Sequence, residues 1–122
     1  MEKHDLYMLL RQERISDFNK AVKDKDGYDL KNINLRGRNL TGVNFKYADL
    51  RGAYLGNCTL KGINFSHANL EGASMHRAKI SGVYFPKNIL ADEILNAVNH
   101  GTRIRTTDDE VQEDDMFFSK DV

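Results

Sequence analysis

Cysteine is nearly absent from this sequence, with Cys58 alone among 122 residues. That excludes an intrachain disulfide and any thiolate cluster for a structural metal, and makes a reducing compartment, the cytoplasm, the simpler expectation. Net charge is missing as well. The 18 Lys and Arg balance 18 Asp and Glu, so overall charge nominates neither nucleic acid, nor an acidic membrane, nor an acidic substrate. Long hydrophobic runs are lacking too. The first apolar stretch, Leu6 to Leu10, is preceded by Glu2 and Asp5 and stopped by Arg11, too short and too charged for a signal peptide or a membrane span. His4, His67, His76 and His100 fall in separate segments with no pair at metal-ligand spacing, so neither a metal nor a cofactor is expected.

What the sequence does have is a period. Every fifth position from Leu30 is apolar: Leu30, Leu35, Leu40, Phe45, Leu50, Leu55, Leu60, Phe65, Leu70, Met75, Ile80 and Phe85. With apolar usage near one half, such an unbroken run arises by chance on the order of once in several thousand tries. A second, generally smaller apolar residue stands two places before most of them: Ile33, Val43, Ala48, Ala53, Cys58, Ile63, Ala68, Ala73, Ala78 and Val83. A helix face needs spacings of three and four, and a half-buried strand needs strict alternation, so neither fits. The economical solution is a short extended segment that points two side chains inward, then a corner, repeated until the chain closes a coil and stacks on itself. Gly37, Gly42, Gly52, Gly62, Gly72 and Gly82 each stand two places after a central residue, where a bend can use glycine's freedom.

A longer period sets the size of the coil. Phe45, Phe65 and Phe85 are twenty apart, as are Val43, Ile63 and Val83, so four pentapeptides make one coil and the phenylalanines form an internal ladder. The runs Asn39-Leu40-Thr41-Gly42, Ala48-Asp49-Leu50-Arg51-Gly52 and Ala68-Asn69-Leu70-Glu71-Gly72-Ala73 resemble the pentapeptide-repeat proteins. The resemblance implies a right-handed, four-sided β-helix. The expected fold is therefore an all-β solenoid of about three coils with short N- and C-terminal capping helices. Arg38 and the oversized Tyr28 depart from the family's small inward residue. They make coil one the place to expect irregularity, with Arg38 reaching out past the end.

A stack of coils exposes unpaired backbone and a slice of core at each end. Residues 1–27 are expected to form a helical N-terminal cap. Leu6, Leu9 and Leu10 lie at helical spacing, and a second amphipathic stretch begins at Ser16 with Phe18, Ala21 and Val22. The Phe18-Asn19 segment resembles the helical lead-in of some family members. Residues 28–87 form the repeat. Residues 88–101 are expected as a C-terminal capping helix, with Asn88 as its cap, Leu90, Ile94 and Val98 on one side and Gly101 as its stop. Residues 102–122 carry Asp108, Asp109, Glu110, Glu113, Asp114 and Asp115 and are expected to be an acidic, disordered tail. Met116, Phe117 and Phe118 break its polarity and are the expected partner-binding residues, inserting into a groove on a partner or on a neighbouring copy.

Enzymatic chemistry is not expected, because the inward positions are almost wholly aliphatic or aromatic and hold no acid, base or nucleophile in a cleft. Cys58 fills a small inward slot and reads as a packed thiol. Each glycine is explained by a corner, which leaves no phosphate-binding loop. No catalytic residue is therefore assigned, and the expected function is a non-enzymatic protein-interaction or scaffold module. Its partner is another protein, with no membrane involved and a homodimer left open. Between residues 30 and 85, Lys31, Arg36, Arg38, Lys46, Arg51, Lys61, Arg77 and Lys79 face only Asp49 and Glu71. That basic excess reads first as solubility for a flat wall, and too few aromatics interleave it for base stacking, which disfavours nucleic acid. Two alternatives stand beside this reading. One is topoisomerase (gyrase) binding by DNA mimicry, which the resemblance implies but which asks for a long acidic rod. The other is a nucleic-acid binder using the basic wall.

Overall fold

The computed structural model describes residues 1–107. Helices α1 (Lys3–Arg11) and α2 (Ile15–Val22) precede the repeat, and α3 (Ala91–His100) follows it. Between them, β1 (Tyr28–Asp29) and β2 (Ala48–Asp49) pair in parallel, with Tyr28 opposite Ala48. A repeat that turns a corner in every pentad leaves no room for longer strands, so the rest of the ladder consists of single parallel bridges. Asn34 pairs with Tyr54 and Tyr54 with Ser74, Asn39 with Thr59 and Thr59 with Lys79, Asp49 with Asn69, and Asn64 with Tyr84. Every pair is twenty residues apart. Three passes of the chain, 28–47, 48–67 and 68–87, are thereby held in register. The all-β expectation needs correcting in one respect: among the described residues more of the chain is helix than strand, because the rungs are so short.

The inward residues form the core. Leu30, Leu35, Leu40, Phe45, Leu50, Leu55, Leu60, Phe65, Leu70 and Met75 are 0% exposed. Most corners are closed by a backbone hydrogen bond, as from Ala53 N–H to the Leu50 carbonyl at 3.0 Å, and at most of them the third residue takes the left-handed φ that a type II turn demands. The six expected corner glycines lie at φ between 69° and 88°, and Asn32, Asn57 and Arg77 fill three more corners at 63°, 58° and 63°. Tyr47 and His67 sit at the equivalent place after the phenylalanines without a left-handed φ. The phenylalanine ladder is present: Phe45 and Phe65 stack at 5.7 Å and 13°, Phe65 and Phe85 at 6.1 Å and 22°.

The first pass is more regular than its side chains suggest. Tyr28 and Asp29 keep the common register, and Thr59 N–H donates to the Arg38 carbonyl at 3.0 Å like any other rung. Tyr28 is accommodated because its ring packs edge-on to Phe18 at 5.9 Å and its hydroxyl donates to the Asn44 carbonyl. Burial pushes the Tyr28 phenol pKa up. Arg38 does not reach clear of the end: it is half-buried, and its Nε is shut off from solvent.

Each end of the stack presents backbone groups with no further pass to pair with. In the second pass, Thr59 N–H bonds back to the pass before it. The matching first-pass amide, Asn39 N–H, donates instead to the Glu13 carboxylate at 3.0 Å, and Asn44 N–H donates to Asn19 Oδ1 at 2.8 Å. Asn19 Nδ2 completes the pair by donating to the Gly42 carbonyl at 2.9 Å. Glu13 is placed by the end of α1, where it adopts φ 55°. Phe18 covers the ladder, edge-on to Phe45 at 5.8 Å.

At the other end α3 begins one residue after Leu90, which precedes it in extended conformation without a side-chain cap. The expected cap, Asn88, lies too early and instead offers its carbonyl to Thr107 N–H at 2.8 Å. Gly101 stops the helix at φ 75° as expected. The boundary drawn at residue 102 also moves. Ile104 is buried, takes the Gly72 N–H at 2.7 Å and donates to the Ala73 carbonyl at 2.9 Å, so residues 102–107 continue the closure of the stack. The cause is that Ile104 supplies the apolar side chain, and Arg105 and Thr106 the polar contacts, that α3 alone does not bring to this edge. Residues 108–122, with Met116, Phe117 and Phe118, lie outside the described residues.

Two stability measurements follow from the core and its cover. Phe65→Ala should cost about 3–5 kcal/mol in denaturant unfolding, and half-buried Phe85→Ala distinctly less; equal costs would show that the ladder is not graded toward its open end. Asn19→Ala strands the Asn44 amide and the Gly42 carbonyl and should cost about 1–3 kcal/mol. A neutral result would mean that solvent satisfies that edge equally well.

Candidate functional site

The wall carrying the Asn34, Tyr54 and Ser74 rungs gathers the densest set of interaction-competent side chains. Tyr54 is held by two backbone bonds to the first pass, its N–H donating to the Ile33 carbonyl at 2.8 Å and its carbonyl accepting from Leu35 N–H at 2.9 Å. The Arg36 guanidinium carbon lies 4.7 Å from the Tyr54 ring centre, and that of Arg103 lies 4.9 Å away. Arg36 comes from the pass before Tyr54, whereas Arg103 comes from the segment after α3. Arg103 is anchored by donation from Nη1 to the Gly72 carbonyl at 2.7 Å. Each cation–ring contact contributes about 0.5–1 kcal/mol at an exposed site.

Gly56 makes room for this arrangement. It stands where the neighbouring passes carry Arg36 and His76, and a Cβ there would come within 3.3 Å of the His76 carbonyl oxygen and 4.0 Å of Arg36 Cγ. With no side chain at that place, the Arg36 stem lies back along the wall toward Tyr54. A second cluster sits at the corner without left-handed φ. Tyr47 and His67 stack at 5.2 Å and 8°, and Lys46 Nζ lies 5.4 Å from the Tyr47 ring centre. An open groove of about 520 Å³ between α2 and the first pass is lined by Ile15, Ser16, Asn19, Lys20, Lys23 and Asn44.

The basic excess read from the sequence divides between walls. Lys31 and Arg51 are neutralised, Lys31 by Asp29 and Asp49 at 3.9 Å and Arg51 by Asp49 at 2.7 Å. Arg36, Lys46, Lys61, Arg77 and Lys79 make no ion pair among the described residues. Cys58 is buried, its Sγ donates to the Leu35 carbonyl at 2.9 Å, and burial pushes its thiol pKa up, so it stays protonated and packed. Among the described residues no group of three or more His, Cys, Asp or Glu converges as metal ligands would. His67 stacks on Tyr47, and His76 lies against Gly101. No helix among the described residues is long and apolar enough to cross a membrane.

Sequence reasoning missed the Tyr54 cluster. It treated the cations as a solubilising wall and saw too few aromatics among them. The twenty-residue register could have placed Arg36 beside Tyr54, since position 36 stacks over position 56 and 56 is glycine. No spacing rule could have brought Arg103 there.

One electrostatic feature of the neighbouring wall is testable by pH. Arg51 Nε and Nη2 hold the two Asp49 oxygens at 2.9 and 2.7 Å, and that bond keeps the Asp49 carboxyl below its ordinary pKa. Because the folded value lies below the unfolded one, the pair stabilises above about pH 4, and its contribution fades as pH falls through the folded value. Arg51→Ala should raise the Asp49 titration midpoint, followed by carboxyl NMR. An unmoved midpoint would assign the depression to the backbone instead.

Comparison with known proteins bears on the repeat. No curated protein and no solved structure matches the chain. The sequence model for pentapeptide repeats matches residues 27–57 and 48–85, in eight copies. These are the residues whose inward side chains and twenty-residue bridges build the stack, and over them the chain carries pentapeptide repeats.

Proposed function

We propose that residues 28–87 wind as a right-handed, four-sided β-helix, capped by residues 1–27 and 88–107, that serves as a non-enzymatic protein-interaction module. The handedness and the four sides rest on the family, whose repeats generally form such a helix. The observation that carries the function is Tyr54 with Arg36 and Arg103 against its ring. Tyrosine and arginine are the residue types that dominate binding energy at protein interfaces. Here they are fixed on hydrogen-bonded backbone, so less entropy is lost on docking. The partner this surface fits is a protein presenting carboxylates beside an apolar contact, because Arg36 makes no ion pair among the described residues.

The same cluster favours one second reading, a nucleic-acid strand whose bases stack on Tyr54 and Tyr47 while the arginines meet phosphate. The two readings separate in one experiment. The full chain and Tyr54→Ala are used as baits in extract of the native cell, and separately passed over DNA and RNA at low and high salt. A protein held by the full chain and weakened about tenfold or more by Tyr54→Ala supports the interaction module. Salt-sensitive nucleic-acid retention lost in the variant would replace it with the second reading. Indifference of both to Tyr54→Ala would remove this wall as the site.

A further inference from the structure

The groove between α2 and the first pass holds unused hydrogen-bond donors and no carboxylate. Ser16 and Lys20 of α2 and Lys23 just after it are four and three residues apart, a spacing that sets them on one helix face, and all three line the groove. Asn19 fixes that face against the stack, its Oδ1 accepting from Asn44 N–H at 2.8 Å and its Nδ2 donating to the Gly42 carbonyl at 2.9 Å. Ile15 closes one side. Its Cγ2 lies 3.9 Å from where a Cβ on Gly42 would stand.

The amide acceptors of the groove are already taken. Asn19 Oδ1 serves Asn44 N–H, and Asn44 Oδ1 accepts from Lys46 N–H at 3.2 Å. The donors are not. Lys20 and Lys23 make no ion pair among the described residues, and neither the Ser16 hydroxyl nor Asn44 Nδ2 reaches an acceptor there. The one acid of α2, Asp17, is held by Arg14 at 2.8 Å, so it does not neutralise the lysines. Two ammonium groups with a hydroxyl and an amide beside them match a doubly charged group with three terminal oxygens, which is a phosphate monoester. A carboxylate brings one charge and two oxygens, and leaves one lysine unmatched. The groove's volume of about 520 Å³ is that of a small-molecule site.

We propose that this groove binds a phosphate monoester carried on a small soluble molecule. Lys20 and Lys23 meet the phosphoryl oxygens, Ser16 and Asn44 donate to them, and Ile15 meets the apolar part of the ligand. The site uses nothing of the Tyr54 wall, so it stands or falls apart from the interaction module.

Phenyl phosphate, benzoate and benzyl alcohol, titrated separately into the full isotope-enriched chain and followed by amide NMR, test it. Phenyl phosphate should shift the Ser16, Asn19 and Asn44 amides saturably and bind about tenfold or more tighter than benzoate, while benzyl alcohol leaves them in place. In the chain bearing Lys20→Gln and Lys23→Gln, phenyl phosphate affinity should fall about tenfold or more with the Phe45 and Phe65 amides unmoved. Lys61→Gln with Lys79→Gln, on the Asn39, Thr59 and Lys79 wall, should leave that affinity unchanged. No saturable shift, benzoate binding as tight as phenyl phosphate, or equal losses in the two double variants would overturn the proposal. Sedimentation with phosphatidic acid vesicles that depends on Lys20 and Lys23, without a phenyl phosphate shift, would overturn it as well and assign the lysines to a lipid surface.

Discussion

Everything in this molecule depends on the twenty-residue register of its backbone hydrogen bonds. Leu50 N–H reaches forward to the Asn69 carbonyl while Tyr54 N–H reaches back to that of Ile33, so the middle pass is bonded to the one before and the one after. A slip of one residue would turn the inward side chains onto the walls and break every stack at once. The corners guard against it. Left-handed φ recurs at residues 32, 37 and 42, at 52, 57 and 62, and at 72, 77 and 82, one set in each pass, and a residue without that conformation cannot be moved into such a place cheaply. The remaining corner has no left-handed requirement, and there the chain places Tyr47 and His67, whose stacking adds a side-chain contact between passes.

The same register creates the problem that the rest of the chain solves. A stack of three passes has two raw edges for one interior pass, so edge closure weighs as heavily as core packing. Closure is chemically different at each end. Side chains close the first edge: Glu13 and Asn19 stand in for the carbonyls of a missing pass, and Phe18 for its aromatic rung. Backbone closes the last edge, through Val98, Ile104 and Thr107. Glu93 ties that strap to α3 by gripping Arg105 at 2.9 Å, and the bond holds the Glu93 carboxyl below its ordinary pKa.

The repeat was legible in the sequence because its signal is redundant. Twelve central residues, their smaller companions and six glycines all report one geometry, and the phenylalanines set the coil at twenty. The ends were less legible. Leu6, Leu9, Leu10 and Phe18 marked the helices by their spacing, yet nothing in the pattern showed that Glu13 and Asn19 replace backbone acceptors, since that role depends on where two helices happen to cross an edge. Asn88 looked like a helix cap by residue type, but Leu90 precedes the helix and the Asn88 carbonyl serves the strap instead. Residues 102–107 carried no periodicity, so their polar composition resembled a solvated tail. Ile104 alone could have signalled otherwise.

Edge closure and the candidate site meet in Arg103. Its guanidinium lies against Tyr54 because residues 102–107 are bonded to the third pass, whereas Arg36 lies there because of the register between the first and second. One half of the cluster is therefore built into the stack, and the other half is brought by the strap. Any event that frees Ile104 from Gly72 and Ala73 withdraws Arg103 as well and leaves Tyr54 with a single cation. The exposed wall is in that sense a reporter of whether the last edge is closed, and a partner that recognises both arginines at once would select the closed form.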